Sequence, residues 1–272
     1  MATSTPMLAR RILAQMLKRL RLSARIEIGV AAVHVGCNRT TVQRWENGQV
    51  APKPPAVKSL GELYEAGTDQ LDLMDTLSRQ SNQRGIWEGP TVPSELRVLY
   101  ESEITATAIR AIELEHIPGL LQTPEYLRVM QSHVPSEPNR QESIRAMRQQ
   151  RQEILWARRD TPALQWVVGT SALRYLNRWP EIKQGQIDEM RHRIKSHDAD
   201  IRVVDTFHQA MTGSFTLIET EFADNTLVPF TFAYIEMLDG GRYVEDRNVV
   251  STYQAAFAAV HESAITLEEY LT

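Results

Sequence analysis

Apolar residues at positions 8, 12, 13, 16, 17 and 20 recur at helical spacing, and Arg10, Arg11, Lys18, Arg19 and Arg21 take the opposite face. A second short helix is predicted over residues 27–35. Gly36-Cys37 reads as a turn, and Asn38 is a good N-cap for a third helix through Trp45. Asn47-Gly48 is a stop signal. A fourth helix is predicted from about residue 56 to 64, with Val57, Leu60, Leu63 and Tyr64 inward and Gly67 ending it. Thr68 or Asp69 then caps a fifth, which carries Leu71, Met74 and Leu77 on one side. The polar, Gly-terminated stretch SRQSNQRG (residues 78–85) marks a domain boundary.

The texture changes beyond it. Ser94 caps a helix with Leu96, Leu99, Tyr100 and Ile104 at helical spacing, and the alternation of Ile112, Leu114 and His116 predicts a short strand. Thr123-Pro124 opens a helix through Met130. Residues 137–159 form one long helix rich in Arg and Gln. Strands are predicted over 164–168, 201–204, 215–218 and 230–235 from β-branched and aromatic content, with Asp239-Gly240-Gly241 as a hairpin signal. Helices are predicted over 171–178, 181–195, 248–261 and 266–271. The expectation is an α+β protein: an all-α five-helix domain over residues 1–80, then a larger α+β domain with a mixed sheet over 86–272.

Composition narrows the class. The chain has 272 residues, 42% hydrophobic and 24% charged, enough apolar surface for a core and too much for a disordered chain. No run approaches the roughly 20 apolar residues of a membrane helix, and the first residues lack the apolar stretch of a signal peptide. The single Cys37 permits neither a disulfide framework nor a Cys-based zinc site, which fits a reducing, cytoplasmic setting. The net charge of −4 hides an asymmetry. Residues 1–60 hold ten Lys/Arg against two acids, +8, so the remaining residues carry −12. A basic head on an acidic body points to a polyanionic partner for the head.

Enzymatic signals are weak. Ser214 lacks a G-x-S-x-G elbow, no Gly-rich phosphate loop is present, and His192 and His197 lie five apart where a helical metal pair needs four. The expectation is a protein that is not an enzyme, with no cofactor and no metal.

The informative head segment is AVHVGCNRTTVQRWENG, residues 32–48. A small residue at the helix crossing (Ala32), a glycine turn (Gly36), a capped two-turn helix and an Asn-Gly stop make a helix-turn-helix. Val42 and Trp45 point to the core, which leaves Arg39, Thr40, Gln43 and Arg44 facing outward, able to enter a major groove. The stretch TVQRWENG (41–48) resembles the TVSRIENG signature of XRE-type, lambda-repressor-like regulators, and the five predicted helices match that fold in number and order. The resemblance implies that Arg39, Thr40 and Arg44 face bases, and that Thr41 and Gln43 take flanking or phosphate positions. Where family members open the second helix with T-Q-E-E-L, this chain reads RIEIGV (25–30), with Ile28 at the Gln position.

The body carries a second resemblance. IPGLLQTPEY (117–126), RQQRQ (148–152) and SALR (171–174) resemble the C-terminal domain of actinobacterial WhiJ-like regulators. By residue chemistry alone, Pro118-Gly119 with its flanking leucines is either a structural knuckle or the corner of a binding pocket. The Arg-rich long helix is either a solvated face or a partner surface. The resemblance implies a small partner protein encoded nearby and a developmental or toxin–antitoxin-like role. Together these readings predict a sequence-specific regulator that binds double-stranded DNA as a homodimer, two heads about 34 Å apart reading a palindrome. The alternative is an antitoxin-like interaction module.

Overall fold

Four successive helices end in the same backbone device, and two of them use a residue other than glycine to do it. The computed structural model describes residues 6–83, 94–133, 137–220, 230–238 and 240–272, which group into two compact units, one within 6–83 and one from 94 onward. In the first unit, α1 (Pro6–Ser23), α2 (Ile28–His34), α3 (Arg39–Glu46) and α4 (Pro54–Leu63) each close in a Schellman turn. The long-range bonds run from the amides of Ile26, Cys37, Gln49 and Ala66 to the carbonyls of Arg21, Ala32, Arg44 and Gly61, at 2.9–3.0 Å. The left-handed residue is Arg25, Gly36, Gly48 and Glu65 in turn. Gly36 and Gly48 adopt φ of 67° and 68° at no steric cost, whereas Arg25 and Glu65 bear a penalty of about 1–2 kcal/mol each.

This corrects two expectations. Glu65, not Gly67, terminates α4, and Gly67 is the N-cap of α5 (Thr68–Ser81), its N–H donating to Gln70 Oε1 at 3.1 Å. Thr68 and Asp69 lie inside that helix. The polar stretch expected as a linker begins as the last turn of α5. Ser78 and Ser81 are fully buried because the Ser78 hydroxyl donates to the Pro52 carbonyl (2.8 Å) and that of Ser81 to the Ser78 carbonyl (2.9 Å). Positions 84 and 85 fall outside the described residues. The core of this unit unites Leu8, Leu13 and Leu17 with Val42, Val57, Leu60, Met74 and Leu77.

The second unit begins with α6 (Ser94–Thr105), which runs into β1 (Ala106–Glu113). The strand is longer and earlier than the alternation around Ile112–His116 suggested. ATAIRAIE is buried on both faces, so its pattern does not alternate. Next come α7 (Pro124–Ser132), α8 (Pro138–Trp156) and β2 (Ala163–Gly169). Thr123 caps α7 as expected, its hydroxyl accepting from the Tyr126 amide at 3.2 Å. Then follow α9 (Thr170–Arg174) with a 3₁₀ turn, α10 (Pro180–His197), β3 (Asp200–Val204), β4 (Phe215–Thr220), β5 (Phe230–Met237), β6 (Gly240–Val244), α11 (Arg247–Ser263), β7 (Ile265–Thr266) and α12 (Leu267–Leu271). The expected β5–β6 hairpin is present, with Met237 paired to Gly240; Asp239 lies outside the described residues.

The seven strands form one mixed sheet in the order β6-β5-β4-β1-β2-β3-β7. β1, β2 and β3 are parallel and the other pairings antiparallel. Register places Ile112, Val167, Leu217, Ala233 and Val244 on one face, where they pack with Val250, Phe257 and Val260 of α11. On the other face the Tyr243 hydroxyl accepts from the Leu99 amide of α6. The chain is therefore an α+β protein, a helical head followed by a sheet with helices on both faces.

The IPGLLQTPEY turn spends its polar groups within the fold. Gln122 Nε2 donates to the Ile117 carbonyl (2.7 Å), Gln152 to the carbonyls of Gly119 and Gln122, and buried Gln186 to that of Leu121. Arg148 donates to Gln122 Oε1. The long helix thus turns two of its arginines inward. Arg151 forms a bidentate pair with Glu103, with side chains only 11% and 3% exposed, and lies over the Tyr100 ring at 4.3 Å. Arg140 and Arg159 stay exposed. Nearby, Glu113 at the end of β1 has its carboxyl pushed up to about 7, chiefly by burial and also by Glu236, against the pull of a Ser214 hydrogen bond, Arg151 and Arg148.

Two stability predictions follow from these environments. Glu65→Gly relieves the left-handed strain and should raise stability by about 0.5–1 kcal/mol in urea unfolding of the full chain. Glu113 binds its proton more tightly folded than unfolded. Its contribution is complete below the unfolded value of 4.5 and is lost as pH rises through about 7. Glu113→Gln should therefore change little at about pH 4 and stabilise by about 2 kcal/mol at about pH 8. Equal effects at both pH values would remove Glu113 from this role.

Candidate DNA-binding face

The third helix has little apolar surface with which to anchor itself. Only Val42 and Glu46 of α3 are buried, and Glu46 is the informative one. Its carboxylate accepts two bonds from Arg21 of α1, Nε at 2.7 Å and Nη2 at 2.9 Å, and Arg21 also donates to the Ile26 carbonyl at 2.9 Å. The side chains are 12% and 4% exposed. Donating to the Glu46 carboxylate raises the Arg21 pKa further, so the guanidinium stays charged. Burial, with the Glu46 charge beside it, pushes up the phenol of Tyr64, whose hydroxyl is buried without a partner.

This is a correction in two places. Arg21 was expected on the solvated basic face of α1 and is instead tied into the interior. Trp45 was expected to point to the core and is only half-buried, while its neighbour Glu46 takes the inward position. A charged residue reads as polar and outward until a cation from another helix is brought against it. Arg21 stands 25 residues away in sequence, so no local periodicity links the two.

The rest of α3 lies as the sequence indicated. Arg39, Thr40, Gln43 and Arg44 are exposed and Thr41 is half-buried. Asn38 occupies the N-cap position, with φ −83° and ψ 151°, but its side chain makes no capping bond. Cys37 is partly covered, and burial raises its thiol pKa, which keeps it protonated and poorly nucleophilic. A notch of about 440 Å³ runs between α1, α2 and α3, lined by Lys18, Glu27, Ile28, Arg39, Gln43 and Asn47 with the Arg21–Glu46 pair at its base. Lys18 was expected on the basic face of α1 and Asn47 at the helix stop, and neither in this notch. Lys18 joins the face because α1 packs against α3, and Asn47 because it is the C-cap of α3.

The histidine pair of the body has a packing environment. The His197 ring lies 4.7 Å from that of Trp156 and 6.4 Å from His192, and Arg193 lies over the Trp156 ring at 4.4 Å. Among the described residues no cluster of His, Cys, Asp or Glu has the arrangement to hold a metal ion. No described helix is long and apolar enough to cross a membrane.

Removing the Glu46 carboxylate leaves a guanidinium desolvated and unpaired. Glu46→Ala should cost the head about 3 kcal/mol in urea unfolding. A loss below about 0.5 kcal/mol, the range of an exposed pair, would show that the contact does not anchor α3.

Two family models match the chain. A helix-turn-helix domain model matches residues 12–74, which ties the chain to DNA binding and transcription regulation. A domain of unknown function (DUF5753) matches residues 96–271. No curated protein and no solved structure shows significant similarity. With about two thirds of its length matched, the chain belongs to the DUF5753 family and carries a helix-turn-helix domain ahead of that domain.

Proposed function

We propose that the protein is a sequence-specific, XRE-type transcriptional regulator, with Arg39, Thr40 and Arg44 reading base edges and Thr41 and Gln43 in flanking or phosphate contacts. The observation that carries this reading is the exposed row Arg39, Thr40, Gln43 and Arg44 on a helix held from behind by Val42 and Glu46. An arginine reaching a guanine edge forms two hydrogen bonds, and a threonine methyl can contact thymine. Lys18, Arg19, Arg25, Lys53 and Lys58, all exposed, supply the salt-dependent phosphate term. Burial of Arg21 in its ion pair removes it from that set.

The body mediates dimerisation and senses a protein partner or ligand in this reading, because one two-turn helix reaches too few base pairs for specificity. Its charge of opposite sign keeps DNA contact on the head. It works in the cytoplasm and catalyses no reaction.

Genomic fragments pulled down with the purified full chain should yield a palindromic site. Arg44→Ala should weaken that site by about 1–3 kcal/mol in anisotropy titrations while leaving non-specific DNA nearly unchanged. A uniform loss on all sequences would make Arg44 a phosphate contact. No sequence preference and a shallow salt dependence would favour the interaction-module alternative.

A further inference from the structure

The three parallel strands of the body end on one edge of the sheet. Residues 205–214 leave β3 there and have to pass β2 and β1 to reach β4, whose first residue, Phe215, pairs with Ile112 near the end of β1. Beneath that crossing lies a cleft of about 440 Å³, lined among others by Glu115, Thr170, Asp205, Phe207, His208 and Met211. This volume falls within the range of small-molecule sites, roughly 300–1,000 Å³. Carboxyl ends of parallel strands are where open sheets containing them accommodate ligands.

We propose that this cleft binds a small organic cation, an amine carried on an aromatic or aliphatic body. Two carboxylates line it, Glu115 and Asp205, both exposed, and no Lys or Arg is among the lining residues. The site therefore favours a positive charge. Glu115 is oriented by the Tyr175 hydroxyl, which donates to its Oε2 at 2.5 Å, and Asp205 is left to meet the ammonium group. The apolar share of the ligand has its counterpart in Phe207, 89% exposed, and Met211, 55% exposed, two large side chains held in water beside the opening. Covering them recovers hydrophobic free energy that the free protein forgoes. His208 also lines the cleft, and burial lowers its ring's pKa, so the imidazole stays neutral and adds no positive charge to repel an ammonium group. Both features select the same ligand: charge from the carboxylates and body from the apolar rim.

As the sensing site of the body, the cleft rests on the regulator reading above. Binding is measured without DNA, so its failure and the failure of that reading are separate results. The test titrates ¹⁵N-labelled full-length protein with phenethylamine and with phenylacetate, two probes of similar body and opposite charge. Phenethylamine should shift the amides of residues 169–171 and 205–211 saturably, and phenylacetate should leave them in place. Asp205→Asn should weaken the amine about fivefold, the scale of one solvent-screened charge pair. Phe207→Ala should weaken it as well. Both side chains are exposed, so the fold is retained, which unchanged shifts elsewhere will verify. No response to phenethylamine, an equal response to phenylacetate, or undiminished binding by Asp205→Asn would each overturn the proposal.

Discussion

A guanidinium withdrawn from water has to find a carboxylate or a set of carbonyls, and this requirement organises both units. In the head it joins Arg21 to Glu46 and the Ile26 carbonyl, fixing α3 against α1. In the body it joins Arg151 to Glu103, Arg110 to Glu219 and Gln165, and Arg202 to Asp200 and to the carbonyls of His261 and Ala264. Such pairs add little net stability over apolar packing, but breaking one is costly, so they specify which helix face meets which neighbour. Arg148 is the counterexample. It is partly buried, meets Gln122 rather than a carboxylate, and its pKa is lowered by burial.

The same constraint decides which basic residues of the head remain for a polyanion. Of the ten Lys/Arg in residues 1–60, Arg21 is committed to Glu46 and Arg10 donates to the Ser81 carbonyl. Arg11 is half-buried, and the other seven, Lys18, Arg19, Arg25, Arg39, Arg44, Lys53 and Lys58, stay exposed. The positive field of the head is thus carried by side chains that stay in water, and α3 presents two of them. The tied and the exposed arginines of the head cannot be told apart by composition; they differ in whether an acceptor from elsewhere in the fold reaches them.

Local signals were legible wherever one stretch of chain dictates its own conformation. The Gly36 turn, the Asn47-Gly48 stop, the Thr123-Pro124 start and the helical stripe of α1 follow from backbone freedom and spacing. Reading failed where a distant partner decides. β1 was displaced because a strand covered on both faces loses the period of two, and its alanines and arginine resemble helix composition. Ser78 and Ser81 read as linker because their burial depends on the Pro52 and Ser78 carbonyls. Glu65 and Arg25 carried no left-handed signal at all, since their conformation is imposed by where the next helix must start.

By itself, then, the sequence determined a basic five-helix head, an acidic α+β body and the outward row on α3, because periodicity, caps and charge are properties of contiguous residues. The tertiary structure alone decided that Glu46 rather than Trp45 turns inward, that Arg148 and Arg151 leave the solvated face of their helix, and that three parallel strands deliver Glu115, Asp205 and Phe207 to one cleft. Those outcomes depend on groups tens of residues apart meeting out of water, where a charge must be paired and a strand end must be crossed.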